Sequence, residues 1–154
     1  MLTCLPQSLC NWNFHVRGTS LGLAELYFNF FTEQGDLRLG DTYYQIHKHG
    51  WASGHWTLES NGEIFADAQK SNPFYRSFEV IAAGQRLTVK AESPLTRCFE
   101  IMESGSLLGT IRPMHPFTRR AVIDCAMVVP ELTQLFCFWL AVLTWRRAAK
   151  NNNA

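Results

Sequence analysis

The chain lacks several features that would place it in a familiar functional class. Its 154 residues include 14 Lys and Arg against 13 Asp and Glu, a formal net charge of +1. Nucleic-acid binding depends on many phosphate contacts, so the missing basic excess argues against that class of partner. No G-x-S-x-G, G-x-G-x-x-G or G-x-x-x-x-G-K-[S/T] motif occurs. The common signatures of α/β-hydrolases, dinucleotide-binding folds and P-loops are therefore missing.

Cysteine pairs and targeting signals are also lacking. The five cysteines are odd in number and include no C-x-x-C pair, so we expect reduced thiols in a cytoplasmic protein. The first ten residues contain no Lys or Arg, which argues against a secretory leader. No sequence motif indicates a cofactor, and we predict none.

The chain also lacks an apolar run long enough to cross a bilayer. The longest run, Leu135–Leu143, has nine residues, whereas a bilayer core needs about 20 residues of helix. The wider segment 132–145 is nevertheless apolar on every face of a helix, so it must be buried in protein or in lipid. Pro130 suits the first helical position, and Arg146 and Arg147 suit the last turn. We predict a buried core helix over about 130–148; a tail-anchored membrane protein is the alternative.

Most of the remaining chain shows the apolar alternation of half-buried strands. One face carries Trp12, Phe14 and Val16, and a later segment carries Ala24, Leu26, Phe28 and Phe30. Similar patterns recur every 8–12 residues, and Asn61-Gly62 is a strong hairpin turn. Loops are predicted at Gly35–Asp41, Ser71–Pro73 and Arg112–Thr118.

The helix and the strands together predict one architecture. We expect a mainly β protein in which a closed antiparallel barrel of about ten to twelve strands surrounds the buried C-terminal helix, because closure removes the sheet edges and covers the helix. The small residues Ala66, Ala68 and Gly109 would leave room for it. The barrel would occupy residues 1–150 as one domain, with a short disordered tail at 151–154. Because the helix fills the interior, we predict no small-molecule ligand inside the barrel.

The order of these parts resembles the tubby-like superfamily of phospholipid scramblases and LURP-one-related proteins. The segments that carry the resemblance lie within about 41–147: Trp56–Leu58, Asn61–Ala68, Phe78–Val80, Arg97–Ile101, Leu108–Ile111 and the helix from Pro130 to Arg147. The resemblance implies a barrel of about twelve strands around the C-terminal helix. It also implies contact with membrane lipids or phosphoinositides.

Two sets of residues are weak candidates for chemistry. His47, His49 and His55 form the only histidine cluster, and alternate strand residues share a face, so a metal-dependent enzyme is one alternative. The other reading of this cluster is a polar outer face. His115 and Cys125 have the residue types of a base and a nucleophile, but nothing in the sequence places them together. We predict that the protein is not an enzyme.

Basic residues beside aromatic ones form a stronger pattern. Lys70 and Arg76 flank Ser71–Tyr75, while Arg112, Arg119 and Arg120 flank a loop that contains Phe117. Arginine and lysine bind phosphate, and aromatic rings settle at the bilayer interface. We therefore predict a non-enzymatic, cytoplasmic barrel, peripheral to membranes, that contacts anionic lipid headgroups through these five residues or binds a protein partner through its outer surface.

Overall fold

Twelve β-strands and one α-helix make up the computed structural model, which describes residues 1–153. Each strand pairs antiparallel with the next, and the first pairs with the last, so the sheet closes into a barrel. This arrangement confirms the predicted fold class. The strands are β1 Leu2–Pro6, β2 Phe14–Thr19, β3 Gly22–Phe28, β4 Gly35–Leu39, β5 Thr42–Lys48, β6 His55–Ser60, β7 Glu63–Lys70, β8 Ser77–Ala82, β9 Gln85–Ala91, β10 Phe99–Glu103, β11 Ser106–Pro113 and β12 Ala121–Cys125.

The two ends of the barrel differ in the length of their connections. At one end, five two-residue hairpins join the strands, at 20–21, 40–41, 61–62, 83–84 and 104–105. At Asn61 and Gly62 the φ angles of 51° and 79° match the left-handed turn that the sequence predicts. At the other end, six connections of six or seven residues lie at 7–13, 29–34, 49–54, 71–76, 92–98 and 114–120. We call these the turn end and the loop end.

The helix α1, Glu131–Asn152, runs through the barrel from the turn end to the loop end. At the turn end, the backbone N–H and the hydroxyl of Ser20 donate to the Glu131 carboxylate at 2.8 and 2.9 Å. At the loop end, Arg147 hydrogen-bonds Glu33 in the 29–34 loop. Every residue from Thr133 to Arg146 is buried. The helix therefore replaces solvent along the whole barrel axis, as its all-round apolarity predicts.

Alternate strand residues point inward and pack on the helix. The Trp139 indole stacks on Phe28 with 4.7 Å between ring centroids and 2° between planes. Phe138 meets Phe14 edge to face at 5.1 Å. Within residues 1–153, no helix combines the length and the apolarity needed to cross a bilayer.

Several predicted boundaries are wrong. Gly35–Asp41 is not a loop, because Gly35–Leu39 forms β4 and buries Leu37 and Leu39. Strand β1, which has only five residues, was not predicted from the sequence. Phe30 does not continue the inward face of β3; it lies in the following loop and is 74% exposed. The Arg112–Thr118 loop begins later than predicted, because β11 extends through Pro113.

The helix and one small residue also differ from expectation. Helix α1 continues through Asn152, so part of the predicted tail is helical; Asn153 forms a turn, and Ala154 lies outside the described residues. Ala66 and Ala68 face the core as expected. At Gly109, however, a Cβ would overlap the sulfur of Cys125. The glycine therefore makes room for a neighbouring strand residue rather than for the helix directly.

Replacing Trp139 with Ala should lower the free energy of unfolding by about 3–5 kcal/mol, because it removes a fully buried ring and leaves a cavity against Phe28. Trp51→Ala is the matched control, since this side chain is 92% exposed and its loss should change stability by no more than about 0.5 kcal/mol. Urea unfolding followed by circular dichroism measures both. Equal losses from the two variants would contradict a barrel packed around the helix.

Candidate functional site

Every connection at the loop end exposes a large apolar side chain. These residues are each more than half exposed, and six of them are more than 85% exposed. We call this set the apolar rim: Leu9, Phe30, Phe31, Trp51, Phe74, Tyr75, Leu95, Met114 and Phe117. Five of the nine are Phe or Trp, and a concentration of exposed apolar side chains at one end of a protein is typical of an interaction surface.

Charge is segregated between the two ends. Each end consists of its connections, the two strand residues on either side of each connection, and the adjacent end of the helix. The loop end carries eleven cations: Lys48, Lys70, Arg76, Lys90, Arg97, Arg112, Arg119, Arg120, Arg146, Arg147 and Lys150. It carries four anions: Glu33, Asp36, Glu92 and Glu100.

The turn end has the opposite balance. Its cations are Arg38 and Arg86. Its anions are Asp41, Glu59, Glu63, Glu103, Asp124 and Glu131. The loop end therefore has a net charge of 11 − 4 = +7 and the turn end 2 − 6 = −4. The overall charge of +1 is the sum over the whole chain, so this polarity becomes apparent only when the topology assigns each charged residue to an end.

Three arginines link neighbouring loops around the loop end. Arg76 donates to the carbonyl oxygens of Pro94 and Thr96 at 3.2 and 2.7 Å. Arg97, in the loop that Arg76 reaches, lies two residues before β10 and binds the next loop in turn. Its guanidinium donates to the carbonyls of His115, Pro116 and Thr118 at 2.9–3.0 Å.

The third arginine completes this series. Arg119 donates to the carbonyls of Ser8 and Asn11 in the 7–13 loop and lies 4.8 Å over the Trp12 ring. Burial lowers the pKa of Arg76 and of Arg119 below the ordinary value, yet both remain charged near neutral pH because a guanidinium is too strongly basic to lose its proton there. Carbonyl oxygens satisfy the N–H groups without cancelling the charge. These arginines order the loops and keep the loop end positive.

The helix end is anchored by the same chemistry. Arg146, only 4% exposed, donates to the carbonyl of Phe30 at 2.7 Å. Arg147 and Lys48 both contact the Glu33 carboxylate, at 2.7 and 2.6 Å. Burial opposes ionisation of Glu33, but the hydrogen bonds from Arg147 and Lys48 outweigh it and lower its pKa to about 2. This contact holds the C-terminal part of the helix against the 29–34 loop.

All five predicted headgroup residues lie at the loop end, but their side chains are not equivalent. Arg76 and Arg119 are used to link loops. Arg112 lies 3.5 Å from Glu92, whereas Arg120 is exposed and forms no salt bridge within residues 1–153. Lys70 donates to the Pro73 carbonyl at 3.0 Å.

Several other residues of this end were not predicted: Arg97, Glu33, Arg147, and the exposed rings of Phe31 and Trp51. A usable signal existed for Arg97, because an arginine one or two residues before a strand recurs at three successive loops.

The three histidines of the predicted metal cluster take separate partners on the outer wall. The His49 and His55 ring centroids lie 4.6 Å apart with the rings tilted by 30°. His55 Nε2 lies 2.6 Å from Asp67, and His49 Nε2 lies 2.6 Å from the Thr57 hydroxyl. His47 lies 3.6 Å from Glu59. In residues 1–153, no group of three or more His, Cys, Asp or Glu is arranged to hold a metal ion.

His115 and Cys125 lie at opposite ends of the barrel, His115 in a long loop and Cys125 at the end of β12. Burial, together with Asp124, raises the pKa of Cys125 to about 11, which keeps its thiol protonated. This pair does not form a nucleophile and base.

Glu33→Gln should destabilise the protein at neutral pH, and the difference from wild type should disappear in acid. Because the folded-state pKa of Glu33 is lowered from 4.5 to about 2, its contribution is present above pH 4.5 and is lost as pH falls toward 2. Melting temperatures of both proteins across pH 2–7 measure this. Glu63→Gln, the same substitution at an exposed turn-end site, is the control. A Glu33→Gln difference that stays constant over this range would contradict the assignment.

No family model, curated protein or solved structure matches this chain. The resemblance to the tubby-like superfamily therefore stays a prediction, and the candidate site rests on the geometry of the loop end.

Proposed function

We propose that the protein is a non-enzymatic module that docks peripherally on anionic membrane surfaces through its loop end. One observation carries this proposal: the apolar rim and the surplus of positive charge share the same end of the barrel. Anionic lipid attracts basic residues, while Trp, Tyr and Phe settle at the level of the headgroups. A surface that offers both suits the boundary between water and lipid.

The small net charge of the whole chain does not weaken this proposal. The helix contacts the turn end at Glu131 and the loop end at Arg147, and the rise between these two residues is about 24 Å at 1.5 Å per residue. The Debye length at physiological salt is about 8 Å, so an approaching surface senses the near end far more than the distant one. The relevant charge is then the +7 of the loop end, and each basic residue near an anionic surface contributes about 1 kcal/mol.

The turn end does not offer the same combination. It also exposes apolar side chains, of which seven are more than half exposed: Met1, Leu21, Tyr43, Ile64, Leu107, Met127 and Val128. Only Tyr43 among these is aromatic, and they lie at the end that carries the acidic residues. An anionic bilayer would repel that end. The polarity of the barrel therefore favours one orientation, with the turn end facing away from the membrane.

The hydrogen bonds from arginine side chains to neighbouring loops support docking by reducing its entropic cost. A flexible loop pays conformational entropy when it is ordered on a surface. Here Arg76, Arg97 and Arg119 already connect four loops through their carbonyls. The rim side chains of these four loops therefore lie on loops that are already ordered before docking: Leu9, Phe74, Tyr75, Leu95, Met114 and Phe117.

Trp51→Ser together with Phe74→Ser should reduce co-sedimentation with anionic vesicles, because both exposed rings would be lost from the interface. The paired turn-end control, Leu21→Ser together with Met127→Ser, should bind as wild type. The assay compares neutral phosphatidylcholine vesicles with vesicles that also contain phosphatidylserine. If the two double variants bind equally, the rim is not the docking surface.

Reversing one charge at each end tests the electrostatic part. Arg120→Glu removes an exposed cation and adds an anion, a loss of roughly 2 kcal/mol or about 30-fold in affinity for anionic vesicles. Arg86→Glu, the same change at the turn end, should have little effect. Raising NaCl from about 0.1 M to about 1 M shortens the Debye length from ~10 Å to ~3 Å and should weaken wild-type binding. Failure of wild type to pellet with any vesicle would refute membrane docking and leave a protein partner as the occupant of this end.

A further inference from the structure

A basic pocket lies at the edge of the barrel mouth, beside the point where the helix leaves the barrel. It has a volume of about 350 Å³ and is lined by Lys48, Trp51, Gly54, Lys70, Pro73 and Arg147 among others. Its three cations come from the ends of β5, β7 and α1, and no carboxylate lines it. We propose that this pocket binds a phosphomonoester, presented by a lipid headgroup; this rests on the proposed membrane docking.

The charge of the pocket matches that ligand. Lys48, Lys70 and Arg147 supply three positive charges, and Glu33, which lies behind Lys48 and Arg147, supplies one negative charge. The surplus is 3 − 1 = +2. A phosphomonoester carries about −1.5 to −2 at pH 7, whereas a phosphodiester carries a single charge and would leave one cation unpaired. The pocket should therefore favour the monoester.

Two of the cations are held in place before any ligand arrives. Glu33 binds Lys48 and Arg147 from one side. The Trp56 ring lies beneath both, 5.6 Å from the Lys48 ammonium and 5.5 Å from the Arg147 guanidinium. Trp56 is itself fixed, because its indole N–H donates to the Glu33 carbonyl at 2.9 Å. A preorganised pair of donors costs little entropy on binding.

The third cation is positioned by a close approach of two loops. The backbone N–H of Lys70 donates to the Gly54 carbonyl at 2.6 Å, and a Cβ at position 54 would lie 2.7 Å from the Lys70 Cβ. The glycine thus lets the 49–54 loop close on Lys70. Only the Pro73 carbonyl accepts a hydrogen bond from the Lys70 ammonium within residues 1–153, so N–H donors remain for an anion. Burial and the charge of Arg147 lower the Lys70 pKa, because both destabilise the protonated ammonium. A bound anion would stabilise that protonated form.

The position of the pocket indicates how the ligand would reach it. Trp51, one of the most exposed rings of the apolar rim, lies on its wall. When the rim rests at the headgroup level, the pocket opens toward the bilayer surface. A phosphomonoester headgroup can then enter while its acyl chains stay in the membrane.

The test compares two anionic lipids and one soluble ligand. Vesicles of phosphatidylcholine with phosphatidic acid, a phosphomonoester, are matched in zeta potential to vesicles with phosphatidylglycerol, a phosphodiester. Wild type should bind the phosphatidic acid vesicles about tenfold more tightly, the ratio expected for one additional charge-assisted hydrogen bond. Glycerol 3-phosphate should compete for the former vesicles and not for the latter. These wild-type measurements do not depend on the folding of any variant.

Lys70→Gln should bring the ratio between the two lipids close to one. Arg120→Gln removes the same charge from the same end but outside the pocket, so it should weaken both lipids equally and preserve the ratio. Equal wild-type binding of the two lipids would overturn the pocket while leaving membrane docking intact. If no vesicle binds but calorimetry detects glycerol 3-phosphate binding that requires Lys70, membrane docking is wrong and the pocket serves a soluble phosphomonoester. If neither binds, both proposals are wrong.

Discussion

The helix Glu131–Asn152 has no face that water can solvate at low cost, and the rest of the fold follows from covering it. Fourteen consecutive residues, Thr133–Arg146, are buried. Full burial of one large apolar side chain is worth about 1.5–3 kcal/mol, so leaving any side of the helix open would be expensive. A sheet covers a helix on all sides only if it closes, and closure also removes the unpaired edges of the first and last strands. The helix and the barrel thus stabilise each other.

A filled barrel leaves the ends and the outer wall for function. The up-and-down order of the strands makes the two ends unlike, because connections alternate between short hairpins and longer loops. The longer loops carry exposed rings such as Trp51 and Phe74, whereas none of the five two-residue hairpins contains an aromatic residue. The cations concentrate at the same end, partly because the helix C-terminus favours basic residues such as Arg147 and Lys150. Connection length and helix direction together produce a barrel whose positive end also carries most of the exposed aromatic rings.

The sequence predicted the closed barrel around a core helix because those features depend on local patterns. The all-round apolarity of the segment 132–145 and the alternation in most strands were sufficient. The short strands β1 and β4 were missed because each has only a few apolar residues. The closing pairing with β12 covers β1, and the helix packs against β4, so Leu2 and Leu37 are buried only in the complete fold. Ile64 shows another limit: alternation puts it on the inner face with Ala66 and Ala68, but a register shift between Leu58 and Glu59 makes Phe65 the extra residue of a bulge, and Ile64 is 59% exposed.

The candidate site could be predicted only in part, since its properties arise between loops that are distant in sequence. Arg76 and Arg119 were recognised as basic residues beside aromatic ones, but their carbonyl partners lie in neighbouring loops. Because the partners are carbonyl oxygens, the two arginines order the loops without losing their charge. An arginine paired with a carboxylate would lose most of its electrostatic reach, whereas one bound to carbonyls remains a full charge and still fixes the loop. The same side chains therefore order these loops and supply positive potential, so the loop end combines rigidity with charge.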